Sequence, residues 1–136
     1  MALISKQQIN DAVDLKWEDV PVPEWGPDAE VRIMELDASQ RGYIEAGSVV
    51  ANDTGVSARV DSLKVYREKL VMLAMVDENF NRMYSNKELP LLSKKSGAVI
   101  ERLAAVVQRL SGMGRFAAKD AEENSAAAPS DSSDSD

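Results

Sequence analysis

The chain has 136 residues and a formal net charge of −7, and it contains neither cysteine nor histidine. The length indicates one domain with a modest hydrophobic core. The two missing residue types exclude disulfides, thiolate metal sites and the commonest general base. Since no segment is apolar enough for a signal peptide or a membrane span, we expect a soluble intracellular protein without a membrane partner.

Acidic residues are concentrated near the C-terminal end. Residues 117–136 contain one lysine against six carboxylates, a net charge of −5, which leaves −2 on residues 1–116. This segment is built mainly from Ser, Ala, Asp and Glu and has no large apolar residue, so we predict a disordered tail at 117–136 and a folded domain at 1–116. Because the chain has no dense Lys/Arg stripe, nucleic-acid binding has little support.

The first elements predicted along the chain are a short helix and a β-hairpin. Ser5 can cap a helix over residues 5–13. Extended, alternating patterns follow at residues 17–24 and 31–36, and the sequence WGPDA between them is a turn signal. The prolines of VPVPEWG lack an N–H donor, which favours an edge position for the first strand. We interpret VPVPEWG as a rigid part of the hairpin that fixes the N-terminal helix against the core.

The next predicted helix begins after the hairpin. Asp37 can cap a helix from Ala38, with Gln40 at the position of a capping box. Residues 51–58 are interpreted as a loop, and Asp61 as the cap of a further helix.

Two apolar segments follow. The run LVMLAMV at residues 70–76 fits a buried helix end or a buried strand, and the helix is favoured. The strongest pattern is amphipathic, over residues 93–112, and Gly112 supplies its C-terminal stop. We therefore predict an α+β fold class: a small, mostly helical domain with an N-terminal β-hairpin packed on three to four helices.

No catalytic constellation is recognised in the sequence. No serine lies in a nucleophile-elbow pattern, and no glycine-rich loop could cradle a phosphate. We predict a protein that is not an enzyme and needs no cofactor. A calcium loop is a less favoured alternative at residues 77–88, because five residues occupy EF-hand ligand positions: Asp77, Asn79, Asn81, Ser85 and Glu88. The position that needs Gly is Arg82, so a plain turn is the favoured interpretation.

The candidate partner-binding residues are aromatic or apolar. Tryptophan is enriched at interface hot spots, although the favoured interpretation is that the two tryptophans cover the inner face of the hairpin. The apolar face of the last helix could form a groove for a partner, but the core is the stronger expectation. The candidates are Trp17, Trp25, Tyr43, Leu103, Val107 and Leu110.

Three segments together resemble the tail assembly chaperones of long-tailed bacteriophages and prophages. They are INDAVDLKWEDVPVPEWG, then EVRIMELDASQR, then LVMLAMVDENFNRMYSNKELPLLSKKSGAVIERLAAVVQRLSG. Each motif is short, but their order and spacing extend over about residues 4–112. One departure is Phe80–Asn81 after VDEN, where the family usually has a Gly-bearing turn.

The resemblance implies a non-enzymatic assembly factor in the host cell cytoplasm. Such chaperones coat the tape-measure protein, help to deliver tail tube subunits and are absent from the mature virion. The resemblance also implies possible self-association along the tape measure and, in many members, a longer frameshift product. The alternative is a structural head–tail connector or minor tail protein that stays in the virion, and a calcium or small-ligand module ranks third.

Overall fold

The computed structural model describes residues 2–47, 49–52, 55–58 and 65–114. Its helices are α1 (Lys6–Asp11), α2 (Ala38–Gly47), α3 (Tyr66–Ala74), α4 (Leu89–Ser93) and α5 (Gly97–Leu110). Its strands are β1 (Trp17–Pro21), β2 (Glu30–Met34), β3 (Val49–Asn52), β4 (Gly55–Ala58) and β5 (Met75–Val76). Single 3-10 turns cover Pro23–Trp25 and Asn86–Glu88. The predicted α+β class, mostly helical with an N-terminal β-hairpin, is confirmed.

The N-terminal hairpin forms two strands of a three-stranded antiparallel sheet, in the order β1-β2-β5. β1 and β2 pair from Trp17 opposite Met34 to Pro21 opposite Glu30. β5 is so short that it pairs with only two residues of β2, Arg32 and Ile33. Pro21 therefore lies in an edge strand, as its missing N–H donor requires.

The segment VPVPEWG closes the hairpin with a rigid turn. Val22 is fully buried and its N–H donates to the carbonyl oxygen of Ala29 at 2.8 Å. Pro23–Trp25 then form one 3-10 turn, since proline is preset for the first helical position. Gly26 follows at φ 153°, a backbone conformation that L side chains rarely adopt. The two prolines and the glycine thus fix the chain reversal.

The hydrophobic core lies between the sheet, α3 and α5. Residues 70–76 are all buried, because α3 is in contact with α2, α4, α5 and β2 and leads directly into β5. The favoured helix is confirmed for residues 70–74, and the last two residues of the run form the strand. α5 instead buries one face, as its amphipathic pattern predicts. That face comprises Val99, Ile100, Leu103, Ala104, Val107 and Leu110.

The end of α5 is joined to the segment that links β2 to α2. Gly112 has φ 63°, and the Met113 N–H donates to the Gln108 carbonyl at 2.9 Å, which is the Schellman arrangement. The predicted stop at Gly112 is confirmed. In the same turn, the buried Ser111 hydroxyl accepts the N–H of Leu36 at 3.1 Å. This bond ties the last helix to the sheet.

The interpretation of residues 51–58 as a loop is wrong. β3 and β4 form an antiparallel hairpin, from Val49 opposite Ala58 to Asn52 opposite Gly55. β-Branched residues favour strands, and Val49, Val50 and Val56 carried that signal. The turn-forming residues between the strands dominated the sequence pattern, although such residues also close hairpins.

The N-terminal arm, residues 2–13, does not pack on the core. α1 begins with a capping box between Ser5 and Gln8, as its sequence favours, but none of its residues is buried. Leu3, Ile9 and Val13 are all exposed. The hypothesis that the hairpin fixes this helix against the core is therefore wrong.

Deleting residues 2–13 is expected to leave the melting temperature within about 3 °C of that of the intact chain, because the arm buries no residue. Thermal denaturation followed by circular dichroism would measure it. As a control, deleting residues 2–19 removes three of the five residues of β1 and should lower the melting temperature steeply. A large drop with the shorter deletion would show that the arm packs on the domain.

Two predictions concern residues outside the described ranges: the helix cap at Asp61 and the tail at 117–136. Within the described ranges, the helices are all too short or too polar to cross a membrane.

Candidate partner-binding surface

One face of the sheet carries an arginine held by a carboxylate. Asp19 and Arg32 are opposite one another in β1 and β2, so their side chains share a face. The Arg32 Nε donates to Asp19 Oδ1 at 2.7 Å and its Nη2 donates to Oδ2 at 3.1 Å. These bonds lower the pKa of Asp19 and raise that of Arg32. The paired carboxylate fixes the plane of the guanidinium group.

Two aromatic rings lie against that guanidinium group. The Arg32 Cζ is 4.1 Å from the centre of the Trp17 ring and 5.0 Å from that of Phe80. The rings also meet edge to face, with centroids 5.5 Å apart. Both distances are within the roughly 6 Å at which a ring attracts a guanidinium cation. Trp17 remains 46% exposed and Phe80 41% exposed, so the arrangement holds two rings partly in solvent.

Phe80 is positioned by a tight turn after β5. Asp77 Oδ1 accepts the N–H groups of Asn79 at 2.8 Å and Asn81 at 3.0 Å. The favoured interpretation of this stretch as a turn is confirmed, and Oδ1 of Asp77 is occupied by two backbone donors. Phe80 itself has φ 65°, the left-handed conformation, which costs a residue with a side chain about 1–2 kcal/mol. This turn presents a bulky ring where glycine would fit with less strain.

A groove runs beside the rings because β5 is short. On the N-terminal side of Arg32, β2 has no β5 partner. A cavity of about 460 Å³ lies at this unpaired part of the strand. Met83, which is 53% exposed, lies in its wall. We call Trp17, Arg32, Phe80 and Met83 together the Trp17–Phe80 surface. The groove is lined by Asp19, Glu30, Val31, Arg32, Val76, Asp77, Glu78, Asn79 and Met83.

A second hollow shares Val76 with this groove and has Phe80 in its wall. Its volume is about 190 Å³, and its apolar lining includes Leu15, Met34 and Leu73. The groove carries four carboxylates against one arginine, whereas the hollow combines its apolar side chains with Glu35, Asp37 and Arg82. Both cavities therefore mix apolar and charged side chains, and they meet at Val76. In the part of the chain that the structure describes, no group of three His, Cys, Asp or Glu residues could hold a metal ion.

The opposite side of the hairpin is closed by ion pairs with α5. Arg102 donates to both carboxylate oxygens of Glu24, at 3.0 and 2.9 Å, and Arg109 donates to Glu18 at 2.7 Å. The hydrogen bonds from Arg102 lower the pKa of Glu24 to about 2. Trp25, beside Glu24, packs against the core. This side of the hairpin is engaged within the domain.

The structure separates the residues predicted to bind a partner. Leu103 and Val107 are fully buried and Leu110 is nearly so, which confirms the stronger expectation that this helix face belongs to the core. Tyr43 is 48% exposed on α2, outside the groove and the hollow. Trp17 is the one candidate that belongs to the Trp17–Phe80 surface.

Sequence reasoning missed Arg32, Phe80 and Met83 as surface residues. Arg32 was assigned only to a strand, because its contacts come from residues distant in the sequence. Phe80 did carry a signal, since it stands where the resembling family usually has a Gly-bearing turn. The positive φ explains that preference.

No protein-family model matches the sequence, and no curated protein matches it. Among solved structures, the chain is similar to the tail assembly chaperone of bacteriophage HK97, with a TM-score of 0.56 and 16% sequence identity. The similarity covers 79% of this chain and 94% of the HK97 chain. The chain has the fold of that chaperone. This structural likeness agrees with the resemblance carried by the sequence motifs.

Proposed function

We propose that this protein is a non-enzymatic phage tail assembly chaperone that coats and solubilises the tape-measure protein and helps to recruit tail tube subunits. The observation that carries the proposal is the fold, which is similar to the HK97 tail assembly chaperone over 79% of the chain. The ordered sequence motifs over about residues 4–112 support the same role. The protein acts in the host cell cytoplasm and leaves before the virion is complete.

The chemistry of the chain suits a binding role. It has no histidine or cysteine, whereas the Trp17–Phe80 surface offers aromatic, arginine and methionine side chains. These residue types are enriched in protein–protein interfaces. A coat that is later removed needs contacts of moderate strength, and a small surface with half-exposed rings supplies them.

The charge of the chain suits many copies lying close together. Its net charge is −7, and like-charged copies repel over about one Debye length, roughly 10 Å at 0.1 M salt. A net charge of this size also favours solubility. An acidic coat would therefore keep an apolar filament dispersed.

The proposal is tested by co-expressing the full chain with the tape-measure protein of the same genome. Affinity capture and size-exclusion chromatography with light scattering are expected to show a soluble complex with several copies of the chaperone per tape measure. The tape-measure protein expressed alone, as the control, should be insoluble. A chain that elutes alone while the tape measure stays insoluble would contradict the proposal, and so would its presence in purified virions.

A further inference from the structure

We infer that the Trp17–Phe80 surface binds a cationic amphipathic helix of the partner, one with an apolar stripe flanked by Lys or Arg. This deepens the proposed function, on which it rests for the identity of the partner. The structure points to the class of segment through three properties of the surface: its exposed apolar area, its charge and its dimensions.

The apolar area is concentrated on a sheet face that no described helix covers. α3 and α5 pack on the core side, where Ile33 is buried. On the other face, Trp17 and Phe80 are each more than 40% exposed, and Met83 is 53% exposed. Burying apolar area contributes about 25 cal/mol per Å². These three side chains are therefore the anchors that a partner would cover.

The charge around the anchors selects a cationic partner. Asp19 is neutralised by Arg32, and Asp77 accepts backbone N–H groups. Glu30 and Glu78 line the same groove, and within the described residues neither forms an ion pair within 4 Å, although the charge of Glu78 adds to that of Asp19 in raising the pKa of Arg32. Both remain available to Lys or Arg from a partner. The same carboxylates oppose binding to nucleic acid or to an anionic membrane.

The dimensions match those of an α-helix. At Arg32 and Ile33, where β5 pairs with β2, three strands spaced about 4.8 Å apart span about 10 Å, which is the diameter of a helix with its side chains. A strand of five residues is about 17 Å long, close to the length of three helical turns. The groove of about 460 Å³ beside β5 can take apolar side chains from such a helix. Helices commonly cover sheet faces in this way.

The experiment uses the full chain and two synthetic helical peptides of about 21 residues. Both carry the same leucine stripe, one flanked by lysines and the other by glutamates. Calorimetry is expected to show binding of the lysine peptide at least about tenfold tighter than that of the glutamate peptide. In ¹⁵N NMR spectra, the lysine peptide should shift the Trp17 indole signal and the amide signals of Phe80 and Met83.

Two pairs of variants localise the contact. Glu78→Lys and Phe80→Ala are each expected to weaken the binding of the lysine peptide about tenfold. Their matched controls are Glu101→Lys, an exposed acid on the helix behind the sheet, and Tyr43→Ala, a ring that is 48% exposed. Both controls should bind as the unchanged chain does. Circular dichroism melts verify that all four variants fold.

Several results would overturn the inference. They are equal binding of both peptides, shifts confined to other surfaces, unchanged affinity in Glu78→Lys and Phe80→Ala, and a free chain that dimerises through Phe80. The peptide test does not involve the tape-measure protein, so the two proposals fail separately. A chain that binds the lysine peptide but captures no tape measure would refute the proposed function alone.

Discussion

Replacing Leu103 by alanine is expected to lower the free energy of unfolding by about 3 kcal/mol, within the range of about 2–5 kcal/mol for buried leucines. Leu103 is fully buried in the middle of α5. The substitution removes apolar contacts and leaves a cavity between α5 and α3, the two helices in closest contact. A loss of this size is a large part of the stability of a small domain. Urea denaturation followed by circular dichroism measures it.

Leu91→Ala is the matched control for Leu103→Ala, because the same atoms are removed from a side chain that is half exposed. It is expected to cost less than about 1 kcal/mol. Similar losses in the two variants would show that the core is not where the structure places it. The comparison also matters for binding experiments, since lost partner binding in Leu103→Ala would reflect unfolding.

Replacing Ser111 by alanine is expected to cost about 1–3 kcal/mol, although only one oxygen atom is removed. The Ser111 hydroxyl accepts the Leu36 N–H at 3.1 Å in a buried position. Without it, that backbone donor is buried without a partner and away from water. The Ser111 carbonyl still accepts a hydrogen bond from Arg41 at 2.9 Å. Urea denaturation measures the change in unfolding free energy, and hydrogen exchange at Leu36 should accelerate.

Ser93→Ala provides the control for Ser111→Ala. Ser93 is exposed, and its hydroxyl forms only a 3.4 Å bond to the Leu89 carbonyl. Its removal should change the unfolding free energy by no more than about 0.5 kcal/mol. If Ser111→Ala were equally neutral, the link between the last helix and the sheet would not contribute to stability.

The parts of the fold that the sequence predicts are those whose signals are local. The Asp37–Gln40 capping box is observed in full, with both reciprocal hydrogen bonds. The stop at Gly112 needs only the last turn of α5. The hairpin likewise follows from adjacent residues, through proline, glycine and alternation. In the capping box and the helix stop, the groups that satisfy the backbone lie within a few positions of one another, and in the hairpin the turn residues that set the pairing are adjacent in the sequence.

The parts that escape prediction depend on contacts between distant residues. β5 has two residues, too few for any periodicity, and it exists because β2 offers its free edge. The exposure of α1 escapes prediction for the opposite reason. Its sequence suggests an apolar face, but no contact with the rest of the domain buries that face. The Trp17–Phe80 surface is likewise hard to predict, because it joins residues that are distant in the sequence and leaves apolar side chains exposed. Its arginine meets one ring across the sheet and the other across the turn that follows β5.

The left-handed backbone of Phe80 has an evolutionary consequence. Mutation to glycine at this position would relieve the backbone strain and keep the turn. Where selection does not maintain the ring, substitutions at this position should therefore favour glycine. A lineage that keeps an aromatic ring here retains it against that tendency. Among homologues, the identity of this single residue should therefore vary with the partner that each protein binds, while the residues that build the turn stay the same.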